Sequence, residues 1–314
     1  MILLSQYTLL FASVLLLVAL GGCFAERSGV INIGLEGIMV IGALGGALVM
    51  KFLPMELGTS LMIVATILAS ALAGMLYSLL LAVAAINFKA DQTITGTAMN
   101  MLATAAATVA VKAMNTAISG GSDVSSDIIY TRARDAFIVR FGNFEFNWFM
   151  VVALVALMIS WVLLYKMRFG LRLRACGEHP QAADSVGINV YKMRYAGVMI
   201  SGILGGLGGI VYITAGVSSW KFENGVAGFG FLALAVMIFG QWKPFRSALA
   251  ALLFGFFRAL GNVYTGFDLL KNLNLPSSVY NMLPYIISLI VLALTSKSSL
   301  APKAEGIPYD KGSR

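Results

Sequence analysis

Long apolar runs separated by short polar breaks set the pattern of this chain. They lie near residues 5–24, 38–53, 59–86, 93–118, 145–166, 193–217, 225–240, 247–264 and 279–296, about nine in all. Most approach roughly 20 residues, the length an α-helix needs to cross a hydrocarbon core. None alternates with a period of two in segments of about ten residues, as a membrane β-barrel requires. The pattern predicts an all-α polytopic membrane protein with some short or broken helices. GVINIGLEGIMVIGALGG at 29–46 carries Asn32 and Glu36 within apolar sequence, and GVAGFGFLALAVMIFG at 225–240 begins with three glycines in six residues. Helices interrupted in both halves of a chain are a mark of substrate paths in transport proteins. The spacings Gly42–Gly46, Gly202–Gly206 and Gly205–Gly209 let membrane helices pack closely.

Between two of the most apolar runs stands GEHPQAADSVGINV at 177–190, small, polar and mildly acidic. Pro180 suits the first position of a helix, where its missing N–H costs nothing. Gly187 suits the position just past the end. Between them lie about two turns, with Glu178 favouring the positive end of the helix dipole and Ala182 and Ala183 giving a low-profile surface. Such a helix is too short to span a bilayer. It reads either as an ordinary structured loop or as a docking element for a cytoplasmic partner.

Charge gives the orientation. The segment 166–194 carries Lys166, Arg168, Arg172, Arg174, Lys192 and Arg194 against only Glu178 and Asp184, which places it in the cytoplasm. QWKPFR at 241–246 and the tail after Lys297 are basic too and fall on the same side. The loop 119–144 balances Asp123, Asp127 and Asp135 against Arg132, Arg134 and Arg140, and fits outside. Nine alternating spans then put the N-terminus outside and the C-terminus inside. Residues 1–300 are expected to form one transmembrane domain, with 301–314 a cytoplasmic tail.

Composition agrees with the membrane reading. Hydrophobic residues make up 59% of the chain and charged ones 11%, against about a quarter charged in soluble domains. The net charge of +8 sits in loops, so it marks membrane topology rather than nucleic-acid binding. Cys23 ends an apolar run and Cys176 lies in a basic loop, which argues against a disulfide between them. LGGC at 20–23 resembles a lipoprotein cleavage box, but no Lys or Arg precedes it, so a first membrane helix is the better reading.

Little here can perform chemistry. His179 is the only histidine, which leaves metal sites and Ser-His-Asp or Cys-His arrangements little to work with. No GxxxxGK[ST] occurs, so the chain has no such loop to cradle ATP phosphates, and no cofactor is expected on it. Glu36 has two readings. A carboxylate inside a membrane segment is a functional candidate by default. Equally, it could pair with Arg27 at a membrane edge or cap a broken helix. Asn100 sits about two turns into its span, where an amide can bond a polar substrate or a neighbouring helix. Trp220, Phe222, Phe229 and Phe231 gather near the outer face, as interface anchors or as stacking surfaces for a flat ligand. Phe229 and Phe231, flanked by glycine, are the better stacking candidates.

These stretches together resemble a known family, the permease subunits of ABC importers for nucleosides and simple sugars that are served by BMP-type binding lipoproteins. The resemblance rests on ERSGVINIGLEGIMVIGA at 26–43, KADQTITGTAMN at 89–100, FGLRLRACGEHPQAADSVGINVYKMRY at 169–195 and GFGFLALAVMIFGQWKP at 228–244, and covers about 26–260. It implies that Glu178, His179, Pro180, Ala182, Ala183, Asp184 and Gly187 belong to the coupling helix that sits in a groove of an ATP-binding subunit. It also implies a second permease, identical or paralogous, an extracytoplasmic substrate-binding lipoprotein, and ATP with Mg on the partner ATPase. The resemblance further implies a setting in the bacterial cytoplasmic membrane, alternating access as the mechanism and nucleosides as the expected cargo. A simple sugar or riboflavin is the alternative cargo. The alternative class is an ion-coupled carrier with Glu36 as its coupling carboxylate. Asn32, Glu36, Asn100, Phe229 and Phe231 are the expected substrate-path residues.

Overall fold

The computed structural model describes residues 2–142, 144–215, 218–267, 276–295 and 300–312. The described chain is mostly helical. The helices are α1 (Ile2–Arg27), α2 (Leu35–Phe52), α3 (Thr59–Ala82), α4 (Gln92–Ser119), α5 (Thr131–Asp135) and α6 (Trp148–Tyr165). They continue with α7 (Arg168–Glu178), α8 (Pro180–Ser185), α9 (Val190–Thr214), α10 (Phe229–Phe239), α11 (Pro244–Val263) and α12 (Ser277–Thr295). Among the described residues, seven helices are long and apolar enough to cross a membrane.

Two of these helices form the centre. Every residue of α1 from Leu10 to Glu26 is buried, because α6, α9, α10 and α11 surround it. α9 is nearly as enclosed, packed between α1, α2 and α3. In water such wholly apolar helices would drive collapse; in lipid, close backbone approach does more, so small residues line the contacts. The expected glycine pairs meet here. Gly42 faces Gly206, Gly46 faces Ile210, Gly205 faces Ile38, and Gly209 faces the carbonyl of Met39. α3 shows the same logic from its other side. Thr66, Ser70, Gly74 and Ser78 are buried at intervals of four, and the Ser70 hydroxyl donates to Gly206 O at 2.7 Å. Leu61, Val64, Leu68, Leu72, Leu76 and Leu80 point outward, a face suited to lipid.

A Cβ at Gly209 would overlap Met39 O, and backbone cannot step aside as a flexible side chain can. Gly209→Leu is therefore expected to separate α2 from α9. Overpacking of this kind costs about 1–3 kcal/mol and sometimes more. Detergent-solubilised permease should show a clearly lower melting temperature and a smaller monodisperse peak on size exclusion.

The run at 225–240 does not cross as a full span. Its helix, α10, has 11 residues, about 16 Å of rise. Positive φ at Gly225 (+55°), Ala227 (+52°) and Gly228 (+79°) turns the chain until Phe229, and glycine supplies two of those left-handed positions without strain. α2 also starts late, at Leu35, after the non-helical segment 28–34. α12 is 19 residues long and packs on α11 and α10.

The two ends differ. α1 finishes at Arg27, whose Nη1 lies 3.9 Å from Glu178 Oε1 of α7, so this is the basic, cytoplasmic end. The opposite end carries a small polar cap. Strand β1 (Asp127–Ile129) pairs antiparallel with β4 (Ser219–Lys221), Ile128 opposite Trp220, and β2 (Ile138–Phe141) pairs with β3 (Phe144–Asn147). Tyr130 ties the cap down by donating to Ile213 O at 2.6 Å. Strands of three or four residues are too short to leave a period in the sequence.

Candidate functional site

Two helix beginnings meet in the middle of the fold. Glu36, in the first turn of α2, reaches the N-terminus of α10. Its Oε1 accepts the Gly228 N–H at 2.8 Å and its Oε2 the Gly230 N–H at 2.7 Å. Helix starts leave four N–H groups without intrahelical partners, and their dipole favours negative charge. One carboxylate thus satisfies two orphan donors of the half-helix. Gly230 must be glycine for this, since a Cβ there would lie 2.8 Å from Glu36 Oε2.

The start of α2 is completed by other elements. Asn100 of α4 accepts the Gly37 N–H through Oδ1 at 2.7 Å and donates from Nδ2 to Ile33 O at 3.0 Å. Gln92 Oε1 accepts the Ile31 N–H at 2.6 Å, and Asn32 Nδ2 donates to Ser201 Oγ of α9 at 2.8 Å. Non-helical backbone at membrane depth is tolerated only where its polar groups find protein partners. Residues 26–43 and 89–100, far apart in sequence, are therefore two sides of one structure. Asn100→Leu keeps the branched outline, at some added bulk, and removes both bonds. The change should cost about 1–3 kcal/mol for each backbone group left unpaired, read as a fall in the melting temperature of the purified permease.

The aromatic candidates divide. Phe229 is buried, 1% exposed, with ring centroids 4.4 Å from Tyr212 and 5.7 Å from Phe11. Phe231, at 48%, faces out beside it. Phe222 is buried, and Trp220 closes the loop ahead of α10 by donating from Nε1 to Gly225 O at 3.0 Å. Two residues that the sequence reading passed over complete the group. The Arg258 guanidinium of α11 lies over the Phe229 ring at 5.4 Å, and Tyr285 of α12 donates to Ala227 O at 3.3 Å. The signal for Arg258 was present: it is the one charge inside FFRALG in an apolar run.

At the cytoplasmic end, α7 and α8 form a compact hairpin between α6 and α9. Pro180 is the first residue of α8, and the chain leaves it through Gly187 at φ +83°. Ile188 N–H closes the turn on Ala183 O at 3.0 Å. Asn189 then caps α9 by accepting the Lys192 N–H at 2.9 Å. The residues of the hairpin point in opposite directions. Pro180 and Ala183 face inward, Ala183 against Cys176 and Val190. His179 and Ala182 face solvent, Val186 is 75% exposed, and Glu178 and Asp184 are half-buried at the edges. Burial pushes the Cys176 thiol up to about 11, so it is protonated and unreactive at neutral pH.

Broken helices meeting at mid-depth, close glycine packing and a basic-sided hairpin define a multi-pass membrane transport component. The chain belongs to the family described as branched-chain amino acid transport system / permease component, which it matches over residues 4–292. It is thus a polytopic protein of the cytoplasmic membrane. It is 42% identical to the guanosine ABC transporter permease protein NupQ of Bacillus subtilis, over 98% of this chain and 96% of that one. It is 39% identical to the nucleoside ABC transporter permease protein NupC of Lactococcus lactis subsp. cremoris, over 96% and 95%. A putative glucose ABC transporter permease protein, TsgC13 of Haloferax volcanii, is 31% identical over 79% of this chain and 74% of its own length. No solved structure matches.

Proposed function

We propose that this chain is the transmembrane permease of an ATP-driven importer that takes up nucleosides by alternating access. The observation that carries the reading is near full-length identity to permeases of guanosine and nucleoside transporters. ATP and Mg are bound and turned over by a separate ATPase subunit, to which the chain contributes no catalytic group. A second permease, a paralogue or a second copy, completes the membrane part, and an extracytoplasmic lipoprotein delivers the cargo.

The chain's own residues divide the work. The outward face of α8, with His179, Ala182 and the edges Glu178 and Asp184, docks in the ATPase. Closure of the ATPase on ATP draws the two coupling hairpins together and turns the cavity between the permeases. Asn32, Glu36 and Asn100 keep α2 and α10 seated as the frame of the path, with Phe229 packed behind them. Phe231 and Tyr285 offer aromatic surface to a passing base, a contact that tolerates different bases because each has a flat face. The binding protein captures, so the permease need hold its cargo only weakly.

A simple sugar is the second reading, favoured by the similarity to the putative glucose permease. The partner binding protein separates the two. A ligand that binds only the folded state raises its melting temperature by mass action, by about 2.7 kcal/mol of stabilisation at a hundredfold excess over Kd. Guanosine, adenosine and uridine are expected to give this shift, with glucose, ribose, riboflavin and leucine giving none. A shift with glucose or ribose alone would replace the cargo; a shift with leucine alone would do the same.

A further inference from the structure

Residues 300–312 lie along the cytoplasmic end and fasten to it at six places. Ala304 N–H donates to Gly177 O at the end of α7 (2.8 Å), and Gly306 N–H to Gly29 O after α1 (3.3 Å). Arg194 of α9, 1% exposed, donates from Nη1 to Ile307 O at 3.0 Å. Lys89 Nζ, in the turn between α3 and α4, is 3.0 Å from Asp310 Oδ2. Tyr309 is buried against Cys176, Ala183 and Val190 and meets the Tyr191 ring edge-on, centroids 5.4 Å apart. The Glu305 carboxyl lies beside that of Glu26, which accepts the Trp242 indole N–H at 2.5 Å.

The place of these contacts matters more than their number. α8 has six residues and cannot hold its shape alone, since nucleating a helix is unfavourable and short ones are marginal. Its inward residue Ala183 rests in a cluster of four, of which Tyr309 is the largest member. The same segment bonds the ends of α1 and α7 and the buried Arg194 of α9. A force applied to α8 therefore meets the two central helices through residues 304–309.

We propose that residues 300–312 form a strap that holds α8 rigidly to α1 and α9, with Tyr309 and Glu305 as its positioning residues, so that ATPase movement is converted into permease movement. This rests on the reading of α8 as the ATPase docking helix. Tyr309 is the wall behind Ala183. Glu305 anchors the strap to the end of α1. An amide at 305 keeps a polar head that can accept from or donate to the Glu26 carboxyl, and alanine has neither group. Removing the strap leaves the docking surface in place but lets α8 yield. ATP is then hydrolysed without import.

The test uses the complete importer, purified with its ATPase and second permease, in proteoliposomes with its binding protein and radiolabelled guanosine. The readout is guanosine imported per ATP hydrolysed. Tyr309→Ala and Glu305→Ala are expected to lower that ratio by about five- to tenfold, within the usual range of coupling energies, with ATPase activity little changed. Glu305→Gln should restore it. Tyr309→Ala should also open Cys176 to maleimide, which the wild type resists, and this reports strap release in the folded complex. If Glu305→Ala and Tyr309→Ala keep the wild-type ratio while Ala182→Trp on the outward face of α8 loses it, the strap is wrong and the docking reading stands. If Ala182→Trp also keeps the ratio, both fall. If Glu305→Gln is as poor as Glu305→Ala, Glu305 does not position the strap through this contact.

Discussion

Glu36→Ala is expected to remove nearly all guanosine uptake and most of the folded permease with it. The carboxylate holds the N–H groups of Gly228 and Gly230 at 2.8 and 2.7 Å, and a methyl group in its place accepts neither. Hydrogen bonds to a charged group contribute about 1.5–3 kcal/mol each. The favourable meeting of a carboxylate with a helix N-terminus adds about 0.3–1 kcal/mol, and up to about 2 where partly buried. Losing both bonds is a large part of the roughly 5–15 kcal/mol that stabilises a typical fold. Glu36→Gln keeps one accepting oxygen and turns an amino group toward the other N–H. It should fold in reduced amount, melt lower than wild type and melt above Glu36→Ala. Melting of the three purified proteins, followed by uptake, checks this. Equal melting temperatures with uptake lost would mean that Glu36 serves the cargo rather than the seat of α10.

The second large effect is at the opposite end. Ala182→Trp should leave the permease folded and its melting temperature unchanged, because Ala182 faces solvent on α8. It should still lower import more than tenfold, since a large ring on a low-profile surface keeps the ATPase from seating; a tenfold loss corresponds to about 1.4 kcal/mol. Ala183→Trp makes the contrast. Ala183 is buried beside Cys176, Val190 and Tyr309, so that change should disrupt the hairpin itself and lower the melting temperature. Import and thermal melting measured for both variants separate docking from packing. Full import by Ala182→Trp would remove α8 from the ATPase interface.

The helical membrane class was legible because roughly 20-residue apolar runs have few other uses. The boundaries of α8 were legible too, since Pro180 and Gly187 act through local backbone geometry that needs no tertiary context. What lay beyond reach were contacts between distant stretches. The sequence left Glu36 open between a substrate carboxylate and a cap, and its geometry depends on residues 228–230, nearly two hundred positions away. Asn100 was likewise open between substrate and neighbour, and its two bonds are to the entry of α2. The run at 225–240 looked long enough to span because composition does not register three positive φ angles in a row of small residues. The outer strands left no trace at three or four residues each. Residues 301–314 were read as a tail because polar, basic sequence after a span resembles one; Tyr309 and Glu305 have meaning only against Cys176 and Glu26.

The most direct measurement of the account is guanosine uptake by the complete importer in proteoliposomes, with ATP and an ion gradient supplied separately. Uptake is expected with ATP and binding protein present, to vanish without either, and to be indifferent to proton or sodium gradients. Uptake by this chain alone, driven by an ion gradient with no ATP, would contradict it and make the protein a carrier.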